Sequence, residues 1–119
     1  MTPHELRRTL HGLRDTLLDA ALRKVREEGW DVLPHLAHVP ERRELGWLDE
    51  DEHLIHLHPH TVADGPVEKT LLHEALHILL DKLIHRARDE RTVARLEELL
   101  WPTLTPTHRR ALADLMRPR

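Results

Sequence analysis

Apolar side chains recur every three or four positions over the first quarter of the chain, which is the period of an α-helix with one buried face. This stripe consists of Leu6, Leu10, Leu13, Leu17, Leu18, Leu22 and Val25. Thr2 and Glu5 stand at the spacing of a capping box, with Pro3 in the first turn, and Gly29 suits a helix end. We therefore predict a first helix over about residues 3–28.

In the middle of the chain the period changes to short runs that are typical of half-exposed strands. Residues 30–39 could hold a short strand, interrupted at Pro34. The runs 44–48 and 53–58 flank the acidic turn 49–52, so we predict that they pair as a hairpin.

The last third returns to the helical period. We predict a helix over about residues 67–85 and a second over 89–101, with Asp89 as its N-cap. Pro102 ends the second helix, and a third is predicted over about residues 105–116. The expected fold is α+β in one domain, residues 1–119, with an N-terminal helix, a small antiparallel sheet, and then helices.

One segment of the helix predicted at 67–85 carries residues that are typical of zinc hydrolases. His73 and His77 are four positions apart, so both imidazoles can point to one metal ion from the same helix face. Glu74 can reach a water molecule at that metal and accept its proton. The chain has 12 histidines, so a chance His-Glu-x-x-His run has to be considered. This run lies among leucines, however, and two buried histidines need partners that a metal ion would supply. We therefore predict a Zn2+ site with Glu74 as the catalytic base.

A catalytic zinc ion usually has three protein ligands, and a chain without cysteine must supply histidine or carboxylate. The next predicted helix offers three glutamates. Glu97 belongs to the stripe that should pack against the motif helix and is the predicted third ligand, with His73 and His77. Glu90 shares that face but lies in the first turn, where an acid also suits the helix dipole, so it is the second candidate. Glu98 should face water.

The motif, with Glu97 following the second histidine by 20 positions (97 − 77 = 20), resembles the gluzincin class of zinc peptidases. Gluzincins carry the third ligand on a separate glutamate helix at about that interval. In size the chain is similar to the minigluzincins and to compact ImmA/IrrE-type or phage-associated proteins with this motif. The resemblance covers about residues 45–100 and implies a minimal zincin-like fold that hydrolyses peptide bonds. The metzincin pattern does not match, because Leu80 and Leu83 stand where it has glycine and histidine.

The resemblance also implies features that this chain replaces or lacks. Thermolysin-like enzymes brace a zinc histidine with an aspartate four residues after the ligand glutamate, where this chain has Trp101. They stabilise the oxyanion with tyrosine or histidine, and the chain has no tyrosine, which leaves His85, His56 and His58 as candidates. Strand 53–58 could be the rim that pairs with an extended substrate.

Other interpretations of the histidines stay open at this point. A metal-binding domain without catalytic activity, acting as an interaction or regulatory module, is the main alternative to the peptidase; a metal-free helical domain is a third. His56, His58 and His60 alternate along one predicted strand and its exit, and could form a second metal site. A solvated polar face is the simpler interpretation of that alternation.

Composition narrows the class of protein further. The formal net charge of −3 gives no general attraction to nucleic acid or to anionic membranes, and no apolar run approaches the length of a membrane span. The polar N-terminus and the absence of cysteine make the cytoplasm the expected location. We therefore expect a cytoplasmic zinc metallopeptidase, monomer or homodimer, whose partner is a peptide or protein substrate rather than nucleic acid or membrane.

Overall fold

Helices and strands follow one another along the chain in the predicted α+β order. The computed structural model describes residues 2–81 and 86–117, with residues 10 and 86–89 described by their backbone alone. The elements are α1 (Pro3–Glu27), β1 (Asp31–Pro34), β2 (Gly46–Asp49), β3 (Leu54–Leu57), α2 (Val67–Leu80), α3 (Arg86–Leu100), a 3-10 turn (Trp101–Thr103) and α4 (Pro106–Asp114).

The first helix begins and ends as its sequence predicts. The Thr2 hydroxyl accepts a hydrogen bond from the Glu5 backbone N–H at 3.1 Å, and the Glu5 carboxylate accepts one from the Thr2 N–H at 3.0 Å. At the other end Gly29 has a φ of +73°, a conformation that glycine adopts without strain. The capping box and the helix end at about residue 28 are thus confirmed.

The three strands form a mixed sheet in the order β1-β3-β2. The predicted hairpin is confirmed, since β2 and β3 are antiparallel with Trp47 opposite His56. The strand predicted within 30–39 exists as β1, but it pairs with β3 in parallel. The sheet is therefore not wholly antiparallel, because the long connection after β1 places β2 on the far side of β3. As a consequence, β3 is the central strand and is paired on both edges.

The motif helix α2 is the centre of the fold, because it contributes to two cores. On one side its Leu72 and Leu76 pack with side chains of α1, α3 and α4, including Val93 and Leu112. On the other side its Leu71 and Ala75 pack against the sheet and the end of α1. With two of its sides held by apolar contacts, α2 presents its remaining side, which carries the motif, to a cleft.

Two helix boundaries differ from the prediction. The structure describes α2 only as far as Leu80 and its C-cap Asp81, and the rest of the predicted 67–85 helix, with His85, lies outside the described residues. The next helix begins at Arg86, so Asp89 lies inside α3 and the N-cap predicted there is wrong. Arg86 to Arg88 contain no helix breaker, and alanine and arginine favour helix, so the helix extends back beyond Asp89.

Three histidines that alternate at β3 and its exit have three different environments. The His56 ring stacks on Trp47 at 4.7 Å between centroids. His60 bonds through Nε2 to the Thr70 hydroxyl at 2.8 Å. His58 is only 1% exposed, its Nε2 accepts from the Val39 backbone N–H at 3.0 Å, and its own backbone N–H donates to the Leu45 carbonyl at 2.8 Å. The predicted solvated face is therefore wrong for His58, which instead anchors the 35–45 connection.

Wild type should lose stability as the pH falls, and we expect His58→Gln to lose less. Burial of the ring lowers the pKa of His58 below its usual 6.5, with the imidazoles of His38 and His35 acting in the same direction and Glu44 opposing them. The unfolded chain therefore takes up this proton first, and the contribution of neutral His58 is lost as pH falls from about 6.5 through the folded pKa. Glutamine keeps an acceptor for the Val39 N–H and does not titrate.

Urea unfolding midpoints of wild type and His58→Gln, measured between about pH 7.5 and 5.5, test this expectation. His4→Gln, on the exposed first turn of α1, is the matched control and should follow wild type. If the difference between wild type and His58→Gln is the same at both ends of the pH range, His58 does not carry the effect.

Among the described residues, no helix combines the length and the apolar character that crossing a bilayer requires. The cytoplasmic location expected from the sequence stays a prediction.

Candidate metal centre

The two motif histidines meet on one face of α2, as their spacing predicts. Their ring centroids are 4.7 Å apart, and Nε2 of His73 lies 3.0 Å from Nε2 of His77. Both rings are largely buried, with side-chain exposures of 16% and 14%. The arrangement follows from helical geometry alone, because residues four apart lie one above the other.

The carboxylate that joins the two histidines is Glu90. Its Oε1 lies 3.0 Å from Nε2 of His73, and its Oε2 lies 2.8 Å from Nε2 of His77. The side chain reaches the histidines from α3, which packs along α2. Within the described part of the chain, His73, His77 and Glu90 are the one group of three or more residues whose ligand atoms lie close enough to share a metal ion.

Glu97, the third ligand predicted from sequence, takes a different place. Its Oε1 lies 2.8 Å from Nδ1 of His73, on the other edge of the ring, and its Oε2 lies 3.1 Å from Nζ of Lys69. Glu97 follows Glu90 by two helical turns, so both point to α2 but at different heights. On this geometry Glu97 is a hydrogen-bond partner of His73 and not a member of the group at Nε2. No local sequence pattern singles out Lys69, because its partner Glu97 is 28 positions away (97 − 69 = 28).

When His73 is neutral, the cluster of His73, His77 and Glu90 has no positive charge between its ligand atoms. The Glu97 carboxylate accepts the proton on Nδ1 of His73, so Nε2 of a neutral imidazole presents a lone pair. That lone pair faces Nε2 of His77 and the Glu90 oxygen at about the distance of a hydrogen bond. A second proton on His73 or a cation at the centre makes these contacts attractive.

The pKa values of His73 and Glu97 both favour the charged forms of these groups. Burial of the ring opposes its protonation, but the Glu97 hydrogen bond and the carboxylates of Glu74 and Glu90 outweigh this, and the pKa of His73 is raised. Burial likewise opposes ionisation of Glu97, but hydrogen bonds from His73 and Lys69 outweigh it, and the pKa of Glu97 is lowered. The site therefore favours a bound cation.

The donor set fits a zinc ion in chemistry and nearly in spacing. Two imidazole nitrogens and one carboxylate are ligands that catalytic zinc sites use, with a further position left open. Ligand atoms in a tetrahedral zinc site lie about 3.4 Å from one another, since each is about 2.0–2.1 Å from the metal. Here the two Nε2 atoms are 3.0 Å apart, and the two different oxygens of Glu90 lie 3.0 and 2.8 Å from them. Opening the group by a few tenths of an ångström would bring it to that size.

Glu74 lies beside this group as a buried carboxylate. It is 6% exposed, and neither a hydrogen bond nor an ion pair of its carboxylate is present among the described residues. Burial raises the pKa of Glu74 to about 7, although the imidazoles of His77 and His73 lower it. A carboxyl group with such a pKa is suited to accept and release a proton near neutrality.

A cleft of about 570 Å³ opens over these residues, bounded on its far side by the start of β2. Gly46 allows β2 to lie this close to α2. A Cβ atom there would be 2.8 Å from Cγ2 of Thr70 and 3.2 Å from the His56 carbonyl oxygen. The glycine therefore places the strand edge beside His73 and Glu74.

The rim of the cleft is β2 and not the predicted strand 53–58. That strand, β3, is paired on both edges and has no free backbone groups along it. The Leu45 carbonyl accepts a hydrogen bond from the backbone N–H of His58, the residue after β3. In an antiparallel pair the hydrogen-bonding direction alternates, so Gly46 and Leu48 direct their N–H and C=O groups away from β3. Neither His56 nor His58, the proposed oxyanion donors, lines the cleft.

Comparison with known proteins adds no relative. The chain matches no protein-family model, no curated protein and no solved structure. The gluzincin resemblance therefore stays a prediction that the motif alone carries.

Proposed function

We propose that this protein is a zinc-dependent metallopeptidase whose metal ligands are His73, His77 and Glu90. The observation that carries the proposal is the convergence of His73, His77 and Glu90 from two helices. The two Nε2 atoms are 3.0 Å apart, one Glu90 oxygen lies within 3.0 Å of each, and beside them is a buried glutamate for which no partner is present among the described residues. A site that only stabilised the fold would have no use for the buried Glu74 carboxylate, because burying an unpaired charge is unfavourable.

The residues around the metal position have separate tasks in this proposal. Zinc bound there would act as a Lewis acid towards water and the peptide carbonyl. Glu74 accepts a proton from the attacking water and passes it to the leaving amine. Glu97 holds the Nδ1 proton of His73, which keeps Nε2 free for the metal, and Lys69 holds Glu97. The free edge of β2 pairs with an extended peptide.

A second candidate is a zinc-binding domain that does not cleave peptides. The composition of the cleft wall supports it. Among the described lining residues outside the metal group, the side-chain donors are Lys69, which is paired with Glu97, and Thr70, which is bonded to His60. Neither is free to stabilise an oxyanion, which peptide hydrolysis requires.

Metal analysis of the purified protein, followed by incubation with a mixed peptide library, tests both candidates. We expect one zinc per chain and hydrolysis that stops when a chelator removes the metal and returns with added zinc. Stoichiometric zinc without cleavage of any peptide would favour the non-catalytic domain. A protein that binds no zinc even when the metal is supplied would contradict both.

A further inference from the structure

The cleft is charged differently on its two sides. On the His73 side, the described lining residues include the carboxylates of Glu44, Asp64 and Glu97 and one cation, Lys69, which pairs with Glu97. On the His77 side a continuing cavity of about 370 Å³ is lined by the carboxylates of Glu44, Glu50 and Asp81 in addition to the site glutamates. None of the described residues that line this second cavity is lysine or arginine.

These three carboxylates are not needed to balance a metal. A zinc ion of charge +2 with the Glu90 and Glu74 carboxylates is neutral (2 − 1 − 1 = 0), since the histidines bind as neutral imidazoles. Glu44, Glu50 and Asp81 therefore leave an excess of three negative charges next to a neutral centre. In the described parts of the chain, no ion pair of these three side chains is present.

A second observation in the same cleft is Glu74. It is more than nine-tenths buried, lines both cavities, and has no hydrogen-bond partner among the described residues. The His77 side of the cleft thus carries three carboxylates that no described group of the protein pairs with, next to the buried Glu74 carboxylate whose charge zinc would balance. These three charges favour a ligand that supplies positive charge to this part of the cleft.

The wall of the cavity suits the shape of a basic side chain as well as its charge. Trp47 and Leu48, both half-buried, line it from β2. Lysine and arginine lay their methylene stems on apolar surface while the charged end reaches acceptors, here the exposed carboxylates of Glu50 and Asp81. Because β2 also offers free backbone groups, an extended peptide on its edge would direct alternate side chains towards α2.

We infer that the substrate is a basic peptide or protein segment, whose lysine or arginine side chain sits on the His77 side of the cleft, against Glu50 and Asp81. This inference rests on the proposed peptidase activity and specifies the substrate class of the same site. It requires no group beyond those that the chain and the metal supply.

The test uses the zinc-loaded full chain and a set of peptides of one sequence, in which each position in turn is lysine, norleucine or glutamate. At one position we expect kcat/KM to be about tenfold or more higher for lysine than for norleucine, and lowest for glutamate. Higher ionic strength should reduce this preference. The double variant Glu50→Gln, Asp81→Asn should bring the lysine-to-norleucine ratio close to one.

Glu52→Gln is the control for the Glu50 change, because it removes one negative charge from the same acidic turn at a side chain outside both cavities. It should keep the wild-type ratio. Cleavage without preference for lysine, or a preference that the double variant retains, would overturn the inference and leave the peptidase proposal intact. Failure of the zinc-loaded protein to cleave any peptide would overturn the peptidase proposal, and this inference with it.

Discussion

Glu90→Ala is expected to abolish tight zinc binding, whereas Glu97→Ala should only weaken it. Glu90 places one oxygen within 3.0 Å of each motif histidine at Nε2, so its removal takes a ligand from the metal. Of the two motif histidines Glu97 contacts only His73, at Nδ1, and loss of such an orienting partner typically costs about 10- to 100-fold in metal affinity. The loss in Glu90→Ala should exceed that range. Competition with a chelator of known affinity measures both.

Two further variants complete this comparison. His73→Ala removes a ligand and should resemble Glu90→Ala. Glu98→Ala changes an exposed glutamate of the same helix and should bind zinc as wild type does. If Glu97→Ala loses more affinity than Glu90→Ala, the ligand assignment proposed from the structure is wrong and the one expected from the sequence is right.

Glu74→Gln is expected to keep zinc and lose hydrolysis, with kcat about 10²- to 10⁴-fold lower, the usual contribution of a general base. The amide has nearly the shape of the carboxylate but cannot accept the proton. Since the buried carboxylate has no partner in the described residues, its replacement should also leave the metal-free protein at least as stable.

The readouts for this variant are zinc stoichiometry, kcat on a peptide that the wild type cleaves, and the urea midpoint of the metal-free protein. Glu68→Gln, one glutamate earlier on α2 and outside both cavities, is the control. Undiminished kcat in Glu74→Gln would remove Glu74 from the chemistry. Loss of zinc would show instead that its carboxylate holds the metal.

The parts of the fold that were predicted correctly depend on interactions between near neighbours in sequence. The capping box at Thr2 and Glu5 and the helical stripe of α1 each involve residues three or four positions apart. The β2–β3 hairpin also closes over a short turn. Closing such short loops costs little conformational entropy, so these contacts form wherever the local sequence favours them. The local pattern is therefore enough to predict them.

The choice between Glu90 and Glu97 could not be made in this way. They lie seven positions apart on α3, so a face pattern assigns both to the side that meets α2. Which one reaches Nε2 depends on how far α3 is shifted along α2, and this shift is a result of side-chain packing in the shared core. The same reasoning explains why Lys69 was missed, since its partner Glu97 is distant in sequence.

By itself, then, the sequence determined the α+β order, the helix that carries the motif and the contact between His73 and His77. Each of these follows from the geometry of individual local elements. Only the tertiary structure decided that Glu90 completes the group, that His58 is buried, and that β2 rather than β3 is the free edge at the cleft. Those outcomes depend on how elements far apart in the chain pack together, and no local pattern records that packing.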